Sequence, residues 1–286
     1  MRHKKHETSD SPPPVLRLKK RLGQRILKDR ETLQFIADSC DLTPETTVLE
    51  IGAGIGNLTE QLASRAKKVV AVELDEQYRI FHLRLMIHHQ NIDFIYQNIM
   101  DMNLGEMPVL KEARDLVIAG NIPFYITTPL IMRIMEEGTA FRRMVLMVQK
   151  EVAMRLAASS GHRTTSAITL KVHYFSNATL LKVVPRHNFH PAPRVDSAII
   201  LFTPRKETIF DPETRRQFFK LLDAAFSQRR KIILNSLMSA MGGKISKDMV
   251  GMCLGEAGID PCSRAERVPF EQFLALFKVM RKIGWH

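Results

Sequence analysis

Short, mostly apolar runs alternate along this chain with longer stretches whose apolar residues recur every three or four positions. Thr47-Val-Leu-Glu-Ile51 is the first such run and reads as a buried strand. Val69–Leu74, Ile92–Tyr96, Asp115–Ala119 and Arg143–Val148 repeat the pattern. Between them the period is helical. Asp29 caps one helix with Leu33, Ile36, Ala37 and Cys40 on one face, and a second begins near Asn57 with Leu58, Leu62 and Ala63 inward. A third opens at Thr128-Pro129 with Leu130, Ile131, Ile134 and Met135 inward, and a fourth covers 151–158. Later strands come less regularly, at 168–175, 179–184 and 195–202. Strand alternating with helix, closed by a pair of strands, predicts an α/β fold on a mostly parallel sheet covered on both faces.

After Pro204-Arg205-Lys206 the pattern changes. Asp211-Pro212 supplies a cap and a first residue for a long helix with Phe218, Leu221, Leu222, Ala225 and Phe226, expected to run on to Gly242-Gly243. Two shorter helices follow, the last carrying Phe270, Phe273, Leu274 and Phe277. Aromatic stripes at this spacing predict a core. The organisation expected is a polar, Pro-rich disordered tail over 1–16, an α/β domain over 17–205 and a small helical domain over 206–286.

Composition narrows the function. With 286 residues, 45% of them hydrophobic, the chain can build one or two proper cores. Its apolar runs all fall short of the roughly 18 residues of a membrane span, and the basic, Pro-rich start lacks a signal-peptide core. Cys40, Cys253 and Cys262 include no close pair, which predicts a reducing compartment without disulfides or zinc. A cytoplasmic protein with no membrane partner is expected. His187 and His190 lack further ligands nearby, so no metal site is expected either. The net charge of +12 predicts a polyanionic partner. Basic residues gather in the first thirty positions, including Lys19, Lys20 and Arg21, and again at Arg229, Arg230 and Lys231.

The candidate chemistry lies at the strand ends. Gly52-Ala-Gly-Ile-Gly56 separates the first strand from its helix, and Gly52 and Gly54 allow a ligand to approach the backbone closely. Glu73 ends the next strand, about twenty residues on, where an acid can accept hydrogen bonds from both ribose hydroxyls. Position 57 is Asn, so the dinucleotide form G-x-G-x-x-G is absent. The form E-x-G-x-G-x-G, from Glu50 to Gly56, favours S-adenosylmethionine, which has no pyrophosphate. Asn98, after the third strand, offers an amide oxygen to an adenine amine. Asn121-Ile122-Pro123-Phe124 follows the fourth. The Asn121 side-chain oxygen and the Ile122 carbonyl can each accept one N–H of an exocyclic amine, Pro123 fixes the backbone, and Phe124 offers a stacking face.

These blocks occur in an order that resembles the ribosomal RNA adenine dimethyltransferases, which methylate two adjacent adenosines near the 3′ end of small-subunit rRNA. The resemblance rests on Leu22-Gly-Gln24, Glu50–Gly56, Val72–Asp75, Gly120–Phe124, Gln149–Val152, Pro191–Ser197, Phe226–Lys231 and Gly258–Pro261. It implies a Rossmann-like class I methyltransferase fold with a small C-terminal helical domain. It implies S-adenosylmethionine contacts at Leu27, Gly52, Glu73, Asn98 and Asn121 and at position 25, and a target adenine held by Asn121, Ile122 and Phe124. The partner implied is small-subunit rRNA or an immature 30S subunit, bound by a monomer through the basic tail and a helix at 226–231. Three positions depart from the family pattern: Arg25 stands where Asn or His is usual, Asn98 where Asp is usual, and Phe124 where Tyr is usual. A macrolide-resistance methyltransferase of large-subunit rRNA shares the Asn-Ile-Pro-aromatic stretch, but the blocks at 226–231 and 258–266 argue against it. The departures at 25 and 98 keep a third reading, a ribosome-assembly or RNA-binding factor with weakened or lost catalysis.

Overall fold

In the computed structural model, residues 18, 19, 24–207, 209–241 and 245–284 are described. The tail and the basic residues Lys20 and Arg21 lie outside them. The chain opens with a two-residue strand, β1 (Ile26–Leu27), and a helix, α1 (Arg30–Ser39). Alternation follows: β2 (Thr47–Ile51), α2 (Asn57–Ala63), β3 (Lys68–Glu73), α3 (Arg79–His88), β4 (Ile92–Tyr96), the single turn α4 (Pro108–Lys111), β5 (Leu116–Asn121), α5 (Thr127–Glu136), β6 (Arg143–Gln149) and α6 (Lys150–Leu156). Next come α7 (Ala167–Phe175), β7 (Ser176–Val184), β8 (Phe189–His190) and β9 (Ser197–Pro204). The chain ends in α8 (Pro212–Phe226), α9 (Ile233–Met241), α10 (Lys247–Glu256) and α11 (Phe270–Lys282).

Seven strands form one sheet in the order β4-β3-β2-β5-β6-β9-β7. Neighbours from β4 to β6 are parallel, and β9 runs antiparallel to β6 and β7. The apolar runs are continuous because both faces of the sheet are covered. Leu49, Ile51, Val70, Val72, Ile118 and Leu146 pack into a core on one face. Their alternates Val48, Val69, Ala71, Val117, Ala119 and Val145 pack on the other. Leu49, Ile118 and Leu146 are fully buried, each a contribution of roughly 1.5–3 kcal/mol. At the amino ends of the strands, Arg142 binds both Asp115 (2.7 Å) and Asp41 (3.0 Å). The hydrogen bond from Arg142 holds the Asp115 carboxyl below its usual range.

Two expectations are corrected, and one strand pair is added. Residues 168–175 form helix α7 rather than a strand. Ser166 and Thr169 make a reciprocal capping box at its start, and Leu170 and Tyr174, one turn apart, join the core of the C-terminal helices. The run Ala-Ile-Thr-Leu-Lys-Val-His-Tyr-Phe suits either period, and the partner surfaces decide. Secondly, the long helix breaks after Phe226, where the Ser227 hydroxyl donates to the Ala224 carbonyl (2.8 Å). Residues 227–232 turn, and α9 restarts with the Ile233 amide on the Ser263 carbonyl (2.7 Å). Beyond Phe226, the last residue of α8, the block at 226–231 is therefore a turn between helices, not a helix. Finally, β1 and β8 pair with each other antiparallel, Ile26 opposite His190 and Leu27 opposite Phe189. Two residues are too few to carry a period.

The helical end has its own core of Phe218, Leu222, Phe273 and Phe277 with Leu254 and Ile233. It reaches back across the expected boundary at 205 through the Tyr174 hydroxyl, which accepts from the Phe210 amide (2.8 Å).

Candidate active site

A cleft opens at the carboxyl ends of β2, β3, β4 and β5, the place where ligands enter such sheets. Arg25, Leu27, Gly52, Gly54, Glu73, Asn98, Asn121, Ile122, Pro123 and Phe124 all line it. The sequence had placed them in five separate blocks.

The approach of β5 to β2 depends on Gly120, whose missing Cβ would sit 2.3 Å from the Ile51 carbonyl oxygen. Asn121 is thereby carried to the end of its strand, and the Ile122 amide bonds the Met147 carbonyl of β6 (3.0 Å), which aims the stretch across the cleft. Ile122 is buried, Phe124 half-buried, and Tyr125 is 59% exposed at the mouth. The Pro123 carbonyl accepts the Ile126 amide (3.1 Å) and turns the chain into α5.

Two acids sit in the facing wall. Glu73 accepts the Gly54 amide (2.8 Å) on one oxygen and the Asp75 amide (2.9 Å) on the other. Burial outweighs these bonds and raises its carboxyl above the usual range. Glu50, buried beneath it, is pushed up to about 8 by burial, and the neighbouring Glu73 charge adds to the rise. Its Oε2 is buried without a hydrogen-bond partner among the described residues. Gly54 adopts φ +57°, and a Cβ there would meet nothing within 4 Å, so its backbone borders open space. Open backbone beside two desolvated acids, one with an orphaned oxygen, suits a ligand that brings hydroxyl donors and a positive charge. A ribose carried with a sulfonium and an ammonium group meets that description. Among the described residues no group of three or more His, Cys, Asp or Glu can hold a metal ion, and His187 and His190 are exposed.

A family model described as ribosomal RNA adenine dimethylase matches residues 15–282. The chain belongs to this family. It is 39% identical over 270 residues to a ribosomal RNA small subunit methyltransferase A of Geobacillus sp. (strain WCH70), covering 93% of this chain and 92% of that one. The protein of the same name from Bacillus pumilus (strain SAFR-032) is 38% identical over 267 residues, 92% of this chain and 91% of that one. Among solved structures, a dimethyladenosine transferase from Plasmodium falciparum superposes with a TM-score of 0.76 at 26% identity, covering 91% of this chain and 99% of that one. The 23S rRNA methyltransferase ErmE superposes with 0.71 at 26% identity, covering 90% and 99%. The fold is that of the class I methyltransferases, with a helical C-terminal region.

Within this family the departures acquire a geometry. The Arg25 guanidinium donates to the Pro191 carbonyl (3.0 Å), so its extra length spans to the loop after β8. The Asn98 oxygen accepts the Met100 amide (3.1 Å), and its Nδ2 donates to Asp101 (3.0 Å). Asp101 thus fixes which way the amide faces, and one lone pair of the oxygen is already engaged. Lys19, read as an RNA contact, has its ammonium 2.9 Å from Asp75, whose side chain is only 3% exposed. Burial opposes ionisation of Asp75, yet the bonds from Lys19, Gln24 and Gln77 hold its carboxyl below the usual range. Arg229, Arg230 and Lys231 are exposed in the turn after α8. Sequence reading gave no role to Asn57, whose Nδ2 donates to the Leu27 carbonyl (3.0 Å) and ties β1 over the cleft. Its one signal was its position, directly after the glycine loop.

Proposed function

We propose that this protein transfers methyl groups from S-adenosylmethionine to N6 of two adjacent adenosines near the 3′ end of small-subunit rRNA. The observation that carries the reading is the convergence of two halves on one cleft: Gly52, Gly54 and Glu73 on one wall, Asn121 to Phe124 on the other. Membership of the rRNA adenine dimethylase family supports it, as do relatives named for the small subunit at 38–39% identity over most of the chain.

In this reading Glu73 accepts the ribose hydroxyls, Gly52 and Gly54 border the cofactor, Leu27 covers it and Asn98 receives the adenine amine, with Arg25 bracing the rim. Bound S-adenosylmethionine supplies an electrophilic methyl on a sulfonium. The residues opposite supply position. Phe124 stacks the target base, a contribution on the order of 1–3 kcal/mol. Asn121 Oδ1 and the Ile122 carbonyl accept the two amine hydrogens and turn the nitrogen lone pair out of conjugation. Catalysis is then orientation and electrostatics, with no general base, because the methylated nitrogen loses its proton readily to water. The base must be unpaired or flipped to enter.

We assign RNA phosphate contacts to Arg229, Arg230 and Lys231, with Lys20 and Arg21 from the N-terminal side, and RNA binding to the helical unit from about 206 onward. An immature 30S subunit, a monomeric state and a cytoplasmic location complete the proposal. Among the described residues no helix is long and apolar enough to cross a membrane.

The test is transfer of label from S-adenosylmethionine to unmethylated small subunits and, separately, to large-subunit RNA, beside an Asn121→Ala control. Dimethyladenosine in small-subunit rRNA, absent with the control, is expected. Label confined to large-subunit RNA, or none while small subunits still bind, would overturn the reading.

A further inference from the structure

One buried side chain behind the cleft wall is absent from every block that identified the family. His82, on α3, is fully buried although its ring is polar. Nε2 lies 2.8 Å from the Gly54 carbonyl oxygen, and Nδ1 lies 2.8 Å from the Tyr96 hydroxyl. A carbonyl can only accept, so Nε2 carries the hydrogen, and in the neutral ring Nδ1 accepts from the Tyr96 O–H. The ring is also held face to face on Phe94, with centroids 3.8 Å apart and planes 3° apart. Arg79 covers the outer face of Tyr96, its guanidinium carbon 4.6 Å from the ring centroid.

Gly54 is therefore gripped at both ends of its backbone. Its N–H donates to Glu73 and its C=O accepts from His82. A glycine at φ +57° with open space on one side has no side chain to fix it, and left alone it would sample many orientations. Four residues on three elements and one loop instead form one directed chain: Tyr96 at the end of β4, His82 on α3, Gly54 in the loop after β2 and Glu73 at the end of β3.

We propose that His82 is a positioning residue for the cofactor: it locks the glycine loop so that Gly54 and Glu73 stand ready to receive the adenosyl moiety. The proposal rests on the reading of the cleft as an S-adenosylmethionine site. It assigns His82 an effect on binding, with methyl transfer itself left to Asn121 and Ile122. Ordering the loop before the ligand arrives removes an entropic cost from association.

The experiment measures the affinity of the full-length protein for S-adenosylhomocysteine by calorimetry, with thermal melts of the ligand-free proteins alongside. The variants are His82→Leu, His82→Gln and Tyr96→Phe. A net hydrogen bond corresponds to about twofold to tenfold in affinity. His82→Leu is expected to weaken binding by about tenfold, and His82→Gln, which keeps a donor for the Gly54 carbonyl, to recover most of that. Tyr96→Phe leaves Nδ1 without its donor and is expected to weaken binding by about threefold. On small-subunit substrate the loss should appear in KM for S-adenosylmethionine, with kcat within about twofold. Should His82→Leu fail to fold, Tyr96→Phe and His82→Gln decide by the same criteria. Lower melting temperatures with unchanged affinity would make His82 a packing residue and overturn the proposal. No binding by the unaltered protein would overturn the cofactor reading, and this proposal with it.

Discussion

Glu73 and Gly54 are joined by a hydrogen bond of 2.8 Å between the carboxylate of one and the backbone N–H of the other. The bond links the acid that ends β3 to the loop that follows β2, so the two parts of the cofactor wall are one unit. Glu73→Ala removes the ribose acceptor and frees the loop together. Affinity for S-adenosylhomocysteine should fall by about tenfold to a hundredfold in calorimetry, from a lost charged hydrogen bond of roughly 1.5–3 kcal/mol. An unchanged affinity would remove Glu73 from the site.

Asn121 separates binding from chemistry. Asn121→Ala keeps the cleft but loses the acceptor aimed at the target amine. Single-turnover methylation of small subunits should slow by about a hundredfold or more, the scale of losing one preorganised polar group. Affinity for S-adenosylhomocysteine should change by less than about tenfold. Loss of both to the same degree would mean that Asn121 serves the cofactor alone.

Burial of two groups predicts an opposed pH dependence of the ligand-free protein. The Glu50 carboxyl is raised to about 8 in the fold, so from about 4.5 upward the unfolded chain ionises while the folded one does not. Stability falls over that window, by on the order of a few kcal/mol. Desolvation lowers His82 to about 4. From about 6.5 downward the unfolded chain takes up a proton that the folded one refuses, so stability falls toward pH 4. Glu50→Gln should lessen the decline, leaving the smaller part due to Glu73, whose carboxyl burial also raises, and should raise the melting temperature at pH 8 above that of the unaltered protein. Parallel curves for the two from pH 5 to 8 would sink the assignment to Glu50.

Salt dependence distinguishes the basic groups. Arg229, Arg230 and Lys231 are exposed, and each phosphate contact contributes about 0.7–0.9 to the slope of log affinity against log salt. Replacing all three by Ala should lower the slope for small-subunit RNA by about two to three. A slope equal to that of the unaltered protein would place the RNA elsewhere.

Lys19 should behave differently, because its ammonium faces the buried Asp75. Lys19→Met should leave the RNA salt slope within about half a unit. It should weaken cofactor binding, since Asp75 also holds Gln24 at the cleft (2.7 Å). A fall in the slope of about one would return Lys19 to the RNA contacts.

The amino-acid sequence by itself determined the parallel part of the sheet and the residues at its strand ends. Both follow from local rules: mostly apolar runs of five or six residues suit the strands of a covered sheet, and Gly, Glu and Asn at or just after their ends fall at the carboxyl edge. The strands at 47–51 and 92–96 were legible to the residue for that reason. Tertiary structure alone decided what those rules leave degenerate. Residues 167–175 fit either period and became a helix because Leu170 and Tyr174 had the C-terminal core to enter. The strands of β1 and β8 exist only through each other, across the 164 positions from Ile26 to His190 and the 162 from Leu27 to Phe189. The couplings of Lys19 to Asp75, Arg25 to Pro191 and His82 to Gly54 join positions 56, 166 and 28 apart. No spacing rule reaches that far, since such pairs meet only once the sheet has brought its strand ends together.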